Sequence, residues 1–421
     1  MGSRADRFPL IDALRAMAAI AVFGTHAAFF AGAEYPGSTI GHYTERLEVG
    51  VAVFFVISGF LLYRPFLVAR LEQRARPATG SYAWRRFLRI VPAYWVALTL
   101  STWWLSRSGV WTASGIPTFY GLAQSFREST ISGGIDQAWT LTIELCFYAF
   151  LPLFAFAMSK LPARDERSLF RSEALVLVAL VVASAAWKVA VLLNGNHHQI
   201  RVTPMLIALP AYLDQFAIGM ALALLSVWLP RRARAPRVVE LVDAAPWVPW
   251  LVAAVAFWAV STQIGIGNRL FEPMSVSEYL ARHYLYAVVA FGLVLPAVVG
   301  TPGRGWVRHL LAFKMLAWLG LVSYGIYLWH PTVLALLAKW GFDGVPSGGV
   351  GYVLWAVVGL AGAVLLAAAS WYLVESPALS LKRLVPGRPR EREAISAAAL
   401  AEAAAEAARP HPHQPVAVPP S

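Results

Sequence analysis

Ionisable side chains stand inside apolar sequence near the start of this chain. Residues 10–26 read LIDALRAMAAIAVFGTH, which is apolar enough for a lipid bilayer yet contains Asp12, Arg15 and His26. On an α-helix, the step from Arg15 to His26 exceeds three turns by roughly 20° and rises about 16 Å, so both side chains lie on one stripe. Asp12, one turn before Arg15, can neutralise its charge. An imidazole exchanges a proton near neutral pH, which suits general-base chemistry at His26.

Three later segments repeat this pattern of polar groups within apolar sequence. They are residues 50–60 (GVAVFFVISGF, with Ser58 and Gly59), residues 137–152 (QAWTLTIELCFYAFLP, with Glu144) and residues 319–331 (LGLVSYGIYLWHP, with Tyr324 and His330). A charged group at the centre of a membrane helix costs about 2.5–3.5 kcal/mol, so it needs a partner, water or a function. A glycine such as Gly59 lets another backbone or a ligand approach closely. We interpret His26 and Glu144 as catalytic candidates, supported by Asp12, Ser58, Tyr324 and His330.

Each of these groups also has a purely structural interpretation. A lone histidine in a membrane helix is often an interhelical hydrogen-bond donor without chemistry, and this alternative stays open for His26 and His330. Lys188 and Arg64 are expected to be structural residues whose charged ends snorkel to the membrane surfaces. Asp214 is expected near the outer surface, either as an acceptor contact or at a solvated helix end.

A basic cluster, WRRFLRIVPAYW, opens another apolar stretch and contains Arg85, Arg86 and Arg89. One interpretation is topological, since arginines gather on the cytoplasmic side of a membrane and contact anionic lipid. The other is chemical, because guanidinium groups bind phosphates through paired hydrogen bonds. In this second interpretation, Arg85 and Arg86 act together with Arg15 and hold the phosphates of a donor that enters from the cytoplasm.

Composition predicts that membrane helices position these groups. Of 421 residues, 58% are hydrophobic and 14% are charged, whereas soluble domains have roughly 45–50% and about 25%. The net charge of +12 would suit nucleic acid only on a solvated domain, and the sequence shows none, so nucleic acid is not an expected partner. The apolar stretch from Pro9 to Ala31 is longer than the roughly 7–15 residues of a cleaved signal sequence, which predicts an uncleaved first span. The single cysteine, Cys146, is interpreted as a packing residue.

Apolar runs near the roughly 20 residues that cross a bilayer predict an all-α, polytopic transmembrane bundle of about ten helices. The expected spans are residues 9–30, 49–68, 88–106, 137–158, 173–193, 208–229, 246–263, 283–299, 315–337 and 350–374. Lysine and arginine concentrate in alternate connections, which predicts that both termini are cytoplasmic. Residues 1–380 are expected to form the transmembrane domain. Residues 381–421 are expected to form an Ala/Pro-rich cytoplasmic tail that is largely disordered.

Taken in order, these motifs resemble the acyltransferase 3 family of integral membrane O-acyltransferases. The resemblance extends from Phe8 to about Pro377. It rests on DALRA with Arg15 and His26, FFVISGFLL, the arginine pair 85–86, WTLTIELCFY with Glu144, SYGIYLWH with His330, and YLVESP with Glu375. Some relatives carry an appended extracytoplasmic hydrolase-like domain, and this chain resembles the stand-alone members.

The resemblance implies transfer of an acyl group, acetyl or another short chain, from acyl-coenzyme A to a hydroxyl. The implied acceptor is a sugar, glycolipid, cell-envelope molecule or natural product, and the implied location is the inner (plasma) membrane, among its lipids. The resemblance implies that acyl-CoA is a substrate and that no cofactor is bound. No metal site is expected. A membrane transporter or flippase for an acyl, sugar or lipid substrate is the competing function, since buried ionisable residues on several helices also form proton relays.

Within this scheme we predict that His26 takes the proton from the acceptor hydroxyl, and that Glu144 or a nearby group orients the imidazole. A transient acyl-His26 intermediate is the alternative chemistry. The donor's phosphates are predicted to bind Arg15, Arg85 and Arg86.

Overall fold

The principal helices coincide with the apolar runs of the sequence. In the computed structural model they are α1 (Pro9–Phe30), α2 (Gly50–Leu71), α3 (Thr79–Trp104), α4 (Trp139–Lys160), α5 (Glu166–Asn194), α6 (Leu209–Trp228), α7 (Trp247–Thr262), α8 (Val276–Val298), α9 (Lys314–Leu321), α10 (Ser323–Lys339) and α11 (Gly349–Ser370). A π-helical turn, Trp371–Glu375, and the short helix Ser376–Ser380 follow α11. The predicted all-α class is therefore confirmed.

Shorter helical turns join these elements. Between α1 and α2 lie Thr39–Thr44 and Glu45–Val49; between α3 and α4 lie Ser108–Trp111, Gly115–Tyr120, Gln124–Phe126, Glu128–Thr130 and Asp136–Ala138; the remaining turns are Leu229–Arg231, Arg237–Ala244, Trp306–Leu311, Phe342–Gly344 and Leu381–Arg383. The structure describes residues 8–33, 39–194, 203–232, 234–265, 274–301, 303–345 and 348–384. Most of the predicted tail, 381–421, lies outside the described residues.

Within these ranges, seven helices are long and apolar enough to cross a membrane, namely those that contain α1, α2, α4, α5, α6, α8 and α11. Two bent pairs, Arg237–Ala244 with α7 and α9 with α10, raise the number to nine if each pair is one span. Helix α3 has 26 residues but carries the arginine cluster and is not among these candidates. The chain is a multi-pass membrane protein, while the count of ten and the side of the termini stay predictions.

The bend between α9 and α10, which is 68°, interrupts the segment that was predicted as one span. Further along α10, Pro331 has no N–H, so the carbonyl of Tyr327 has no donor one turn later. The side chain of Gln137, which precedes α4, supplies one: its Nε2 donates to Tyr327 O at 2.9 Å and to Leu328 O at 3.2 Å. This contact fixes α10 against α4 next to His330.

Helices α2 and α6 pack so closely that glycine is required on both sides. A Cβ atom added at Gly59 would lie 2.2 Å from the carbonyl oxygen of Phe216, and one at Gly219 would lie 2.0 Å from that of Val56. Both distances are far below van der Waals contact, so any side chain there would push the helices apart. The predicted close approach at Gly59 is confirmed, and its partner is a backbone.

The expectation that Lys188 snorkels to the surface is wrong. Its side chain is fully buried, and Nζ donates to Asp214 Oδ2 at 2.7 Å. The same carboxylate contacts His283 Nε2 at 2.9 Å, so α5, α6 and α8 share one buried ionic cluster. Asp214 is thus an acceptor contact and not a solvated helix end. Arg64 is partly buried and donates to Ser226 inside the bundle.

Candidate active site

Helices α1, α2, α3, α4 and α10 meet around a cavity of about 130 Å³, here called the arginine cavity. Its polar lining residues are Arg15, Ser58, Arg86, Arg89, Thr140, Glu144, Tyr148, Tyr324 and Tyr327. The cavity therefore brings together two of the three predicted donor-binding arginines, one predicted catalytic carboxylate and two of the supporting residues.

Glu144 is held in this cavity by two hydroxyl groups. Ser58 Oγ on α2 donates to Glu144 Oε1 at 3.0 Å, and Tyr148 Oη, one turn further along α4, donates to the same oxygen at 2.5 Å. The ring of Tyr148 in turn faces the guanidinium of Arg86, 5.8 Å from its centroid. Ser58 and Tyr148 thus hold the Glu144 carboxyl group among the arginines of the cavity.

Three guanidinium groups face the cavity against one lining carboxylate, so the site favours an anion. Arg15 lies 3.9 Å from Asp12, which is the predicted pair. Arg89 lies over the ring of Trp371 at 5.8 Å. Within the described part of the chain, the buried Nε of Arg86 has no hydrogen-bond partner, and such an orphaned donor is a place for a ligand oxygen.

The arginine cluster divides between two faces of α3. Residues three apart share a helix face whereas neighbours lie about 100° apart, so Arg86 and Arg89 line the cavity together. Arg85 is exposed and donates to Ser81 Oγ at 2.6 Å. The predicted role of Arg85 in donor binding stays a prediction. Helical spacing is the signal that would have paired Arg86 with Arg89 from the sequence.

His26 on α1 and His330 on α10 form a pair. His330 Nε2 lies 3.2 Å from His26 Nδ1, and the ring centroids are 4.9 Å apart. Each Nδ1 also faces a carbonyl of its own helix, with His26 Nδ1 2.9 Å from Val22 O and His330 Nδ1 3.1 Å from Ile326 O. His330 is fully buried, whereas His26 is half-buried.

These contacts assign the tautomers of both rings. A nitrogen that faces a carbonyl must carry the proton, so the Nδ1 of each ring is a donor. His330 Nε2 then has a lone pair and accepts from His26 Nδ1–H. His26 Nε2 is left with a lone pair of its own, on the half-buried ring. The pair therefore presents one unprotonated nitrogen that can accept a proton or attack a carbonyl carbon.

Tyr327 connects the histidine pair to the arginine cavity. It lines the cavity, its ring centroid lies 5.9 Å from that of His330, and its hydroxyl is 2.7 Å from Thr140 Oγ1. Tyr324, one turn earlier, donates to Ile90 O at 2.9 Å and ties α10 to α3. The predicted orientation of His26 by Glu144 stays a prediction, since the hydrogen bonds described for Glu144 join it to Ser58 and Tyr148.

Comparisons with known proteins identify the family that shares these features. The profile of the acyltransferase 3 family, described as an acyltransferase domain, matches residues 8–372. Peptidoglycan O-acetyltransferase OatA of Listeria monocytogenes is 25% identical over 78% of this chain and 49% of its own length. Nodulation protein 10 of Rhizobium leguminosarum is 27% identical over 80% of this chain and 84% of its own length. Exopolysaccharide production protein ExoZ of Rhizobium meliloti is 26% identical over 80% of this chain and 92% of its own length. The chain spans about half the length of the Listeria relative. No solved structure gives a significant match.

Proposed function

This chain belongs to the acyltransferase 3 family of membrane O-acyltransferases, and from that premise we propose that acyl-coenzyme A is its donor and a sugar-bearing molecule its acceptor. The names of its relatives refer to peptidoglycan O-acetylation and to exopolysaccharide production, which supports a hydroxylated acceptor. We propose acetyl as the acyl group and the inner membrane as the location.

The observation that carries this proposal is the placement of Arg15 and His26 on one helix. Arg15 lines a positively charged cavity, and His26, about 16 Å further along α1, offers an unprotonated nitrogen. A donor with phosphates at one end and a reactive thioester at the other matches this arrangement. The arginine cavity, at about 130 Å³, is smaller than the roughly 300–1,000 Å³ of drug-sized pockets, so it holds one part of the donor.

In the proposed reaction, the acceptor hydroxyl attacks the thioester carbonyl carbon while His26 Nε2 takes its proton. A C–O bond forms and the C–S bond breaks. The imidazolium returns the proton to the departing thiolate, so the products are an ester and free coenzyme A. Val22 O and His330 Nε2 both accept from His26 Nδ1–H, so that proton stays on Nδ1 and Nε2 stays available.

Purified protein with labelled acetyl-coenzyme A and oligosaccharides tests this function. We expect release of free thiol together with labelling of the sugar, and we expect His26→Ala to slow both by about 10²–10⁴-fold while the protein still inserts and folds. Uptake into vesicles without thiol release would instead indicate a transporter. Substantial turnover by the alanine variant would remove His26 from the mechanism.

The donor site is tested with a matched pair of substitutions on α3. Arg86→Lys removes a guanidinium from the arginine cavity and is expected to raise the KM for acetyl-coenzyme A about tenfold, with a smaller change in kcat. Arg85→Lys changes the neighbouring, exposed arginine and tests its separately predicted role. If neither substitution changes donor dependence, Arg85 and Arg86 have only a topological role.

A further inference from the structure

The connection between α3 and α4 forms a second, larger cavity. It measures about 510 Å³ and lies within residues 107–134, here called the loop cavity. This volume falls within the range of small-molecule binding sites. It opens beyond the C-terminal end of α3, whereas Arg86 is near the N-terminal end of that helix, about 30 Å away along its axis.

The lining of the loop cavity is rich in hydroxyl groups. They belong to Thr112, Ser114, Thr118, Ser129, Thr130 and Ser132. Thr118 and Thr130 donate to backbone carbonyls, at 2.7 Å to Ser114 O and 2.8 Å to Gln124 O, so their oxygens keep lone pairs for a ligand. Arg107 and Arg127 add cationic donors to the wall. Such a surface exchanges hydrogen bonds with a polyhydroxylated molecule.

The loop that forms this cavity is fixed to the helices on both sides. Tyr94 Oη on α3 donates to Phe119 O at 2.7 Å, and Thr142 Oγ1 on α4 donates to Leu122 O at 2.8 Å. The ring of Phe119 packs against Gly133, where an added Cβ atom would lie 2.5 Å from it. The cavity therefore has a well-packed apolar wall in addition to its polar walls.

A chain of contacts leads from the loop cavity to the histidine pair. Arg107 in the cavity wall donates to both carboxylate oxygens of Asp136, at 2.9 and 3.0 Å. The adjacent Gln137 holds the α10 carbonyls of Tyr327 and Leu328, next to His330.

We propose that the loop cavity is the binding site for the sugar portion of the acceptor. The inference rests on the proposed acyltransfer and assigns the acceptor to the end of the bundle opposite the donor arginines. With both termini predicted in the cytoplasm, this end is extracytoplasmic. Donor and acceptor then approach His26 from opposite sides of the membrane.

Cysteine labelling tests binding without relying on catalysis. In a Cys146→Ser background, Ser129→Cys places a thiol in the cavity and Ala113→Cys places one on the exposed loop surface outside its lining. We expect a membrane-impermeant maleimide to label both in right-side-out vesicles. The oligosaccharides tested are neutral, amino-sugar and uronic-acid chains. We expect at least one of them to slow labelling at position 129 by threefold or more, and none of them to slow labelling at position 113. Equal labelling with every oligosaccharide, or no labelling from the outside, would overturn the proposal.

A second measurement separates this inference from the function on which it rests. Ser129→Trp fills the cavity and is expected to raise the KM for the acceptor at least tenfold while the KM for acetyl-coenzyme A stays the same; Ala113→Trp is the control. An active enzyme whose acceptor KM is unmoved by Ser129→Trp would refute the acceptor site alone. Protection of position 129 in a protein that releases no thiol would keep the sugar site and refute the acyltransferase function.

Discussion

Replacing His330 by methionine tests whether the buried histidine works through its neighbour. The substitution removes the lone pair that accepts from His26 Nδ1–H and places an apolar side chain in a fully buried position. If His330 is a positioning residue, the imidazole of His26 becomes less well held and kcat falls. The KM for acetyl-coenzyme A should stay the same, because His330 does not line the arginine cavity.

The size of the effect follows from the two contacts of His26 Nδ1. One of them, to Val22 O at 2.9 Å, survives the substitution and still holds the proton on Nδ1. Only the contact to His330, at 3.2 Å, is lost. A single hydrogen bond contributes about 0.5–1.5 kcal/mol, which corresponds to a roughly two- to thirteen-fold decrease in kcat. Removing the base itself at His26 should cost far more, about 10²–10⁴-fold.

The assay is steady-state acyl transfer in proteoliposomes, with thermal stability recorded in parallel. Two conservative variants are the controls. His330→Gln extends an amide toward the position of Nε2 and should recover part of kcat, whereas His330→Asn reaches only the position of Nδ1 and should not. The positioning role is refuted if His330→Met has the wild-type kcat, or if the substitution changes only the KM for the donor.

Three stability predictions follow from buried contacts, and thermal unfolding in detergent measures each one. Gly219→Ala should lower the free energy of unfolding by about 1–3 kcal/mol, because the added methyl group meets the backbone of α2; unchanged stability would show that the helices separate freely. Lys188→Met should cost about 3–5 kcal/mol by leaving Asp214 charged and buried, and adding Asp214→Asn should recover part of that loss; a double variant no better than the single one would contradict this. Gln137→Met should cost about 1–3 kcal/mol by leaving the Tyr327 carbonyl without a donor, with a lower kcat as α10 loosens; full stability and rate would contradict it.

The helices and the family could be predicted from the sequence because both depend on local patterns. Apolar runs near bilayer length appear as helices, and the motifs from Arg15 to His330 fall within the region that the acyltransferase profile matches. The close approach at Gly59 could be predicted for the same reason, because a glycine within an apolar helix lets a neighbouring backbone come near. Broken helices are harder to predict, because the bend at the start of α10 has no counterpart in hydropathy.

The partners of buried charges could not be predicted, because they come from distant segments. Lys188 lies 26 positions before Asp214 and 95 before His283, and nothing in its own helix shows that this ammonium is neutralised. The same limit applies to His26, whose hydrogen-bond partner His330 is 304 positions away. The sequence predicts a similar depth in the membrane for the two histidines, but contact between them depends on how α1 and α10 rotate about their axes.

The arrangement of the site separates the charged cavity from the histidine that we propose as the base. The arginines and Glu144 surround one cavity, whereas the histidine pair lies beyond Tyr327, where its hydrogen bonds are to backbone carbonyls and to each other. A phosphate can therefore be neutralised without placing a guanidinium beside the base, where its charge would disfavour proton uptake. Since α1 carries both Arg15 and His26, a rigid helix fixes the distance between the two functions. The proposed function requires this separation, because the phosphates and the thioester of the proposed donor would occupy different depths at the same time.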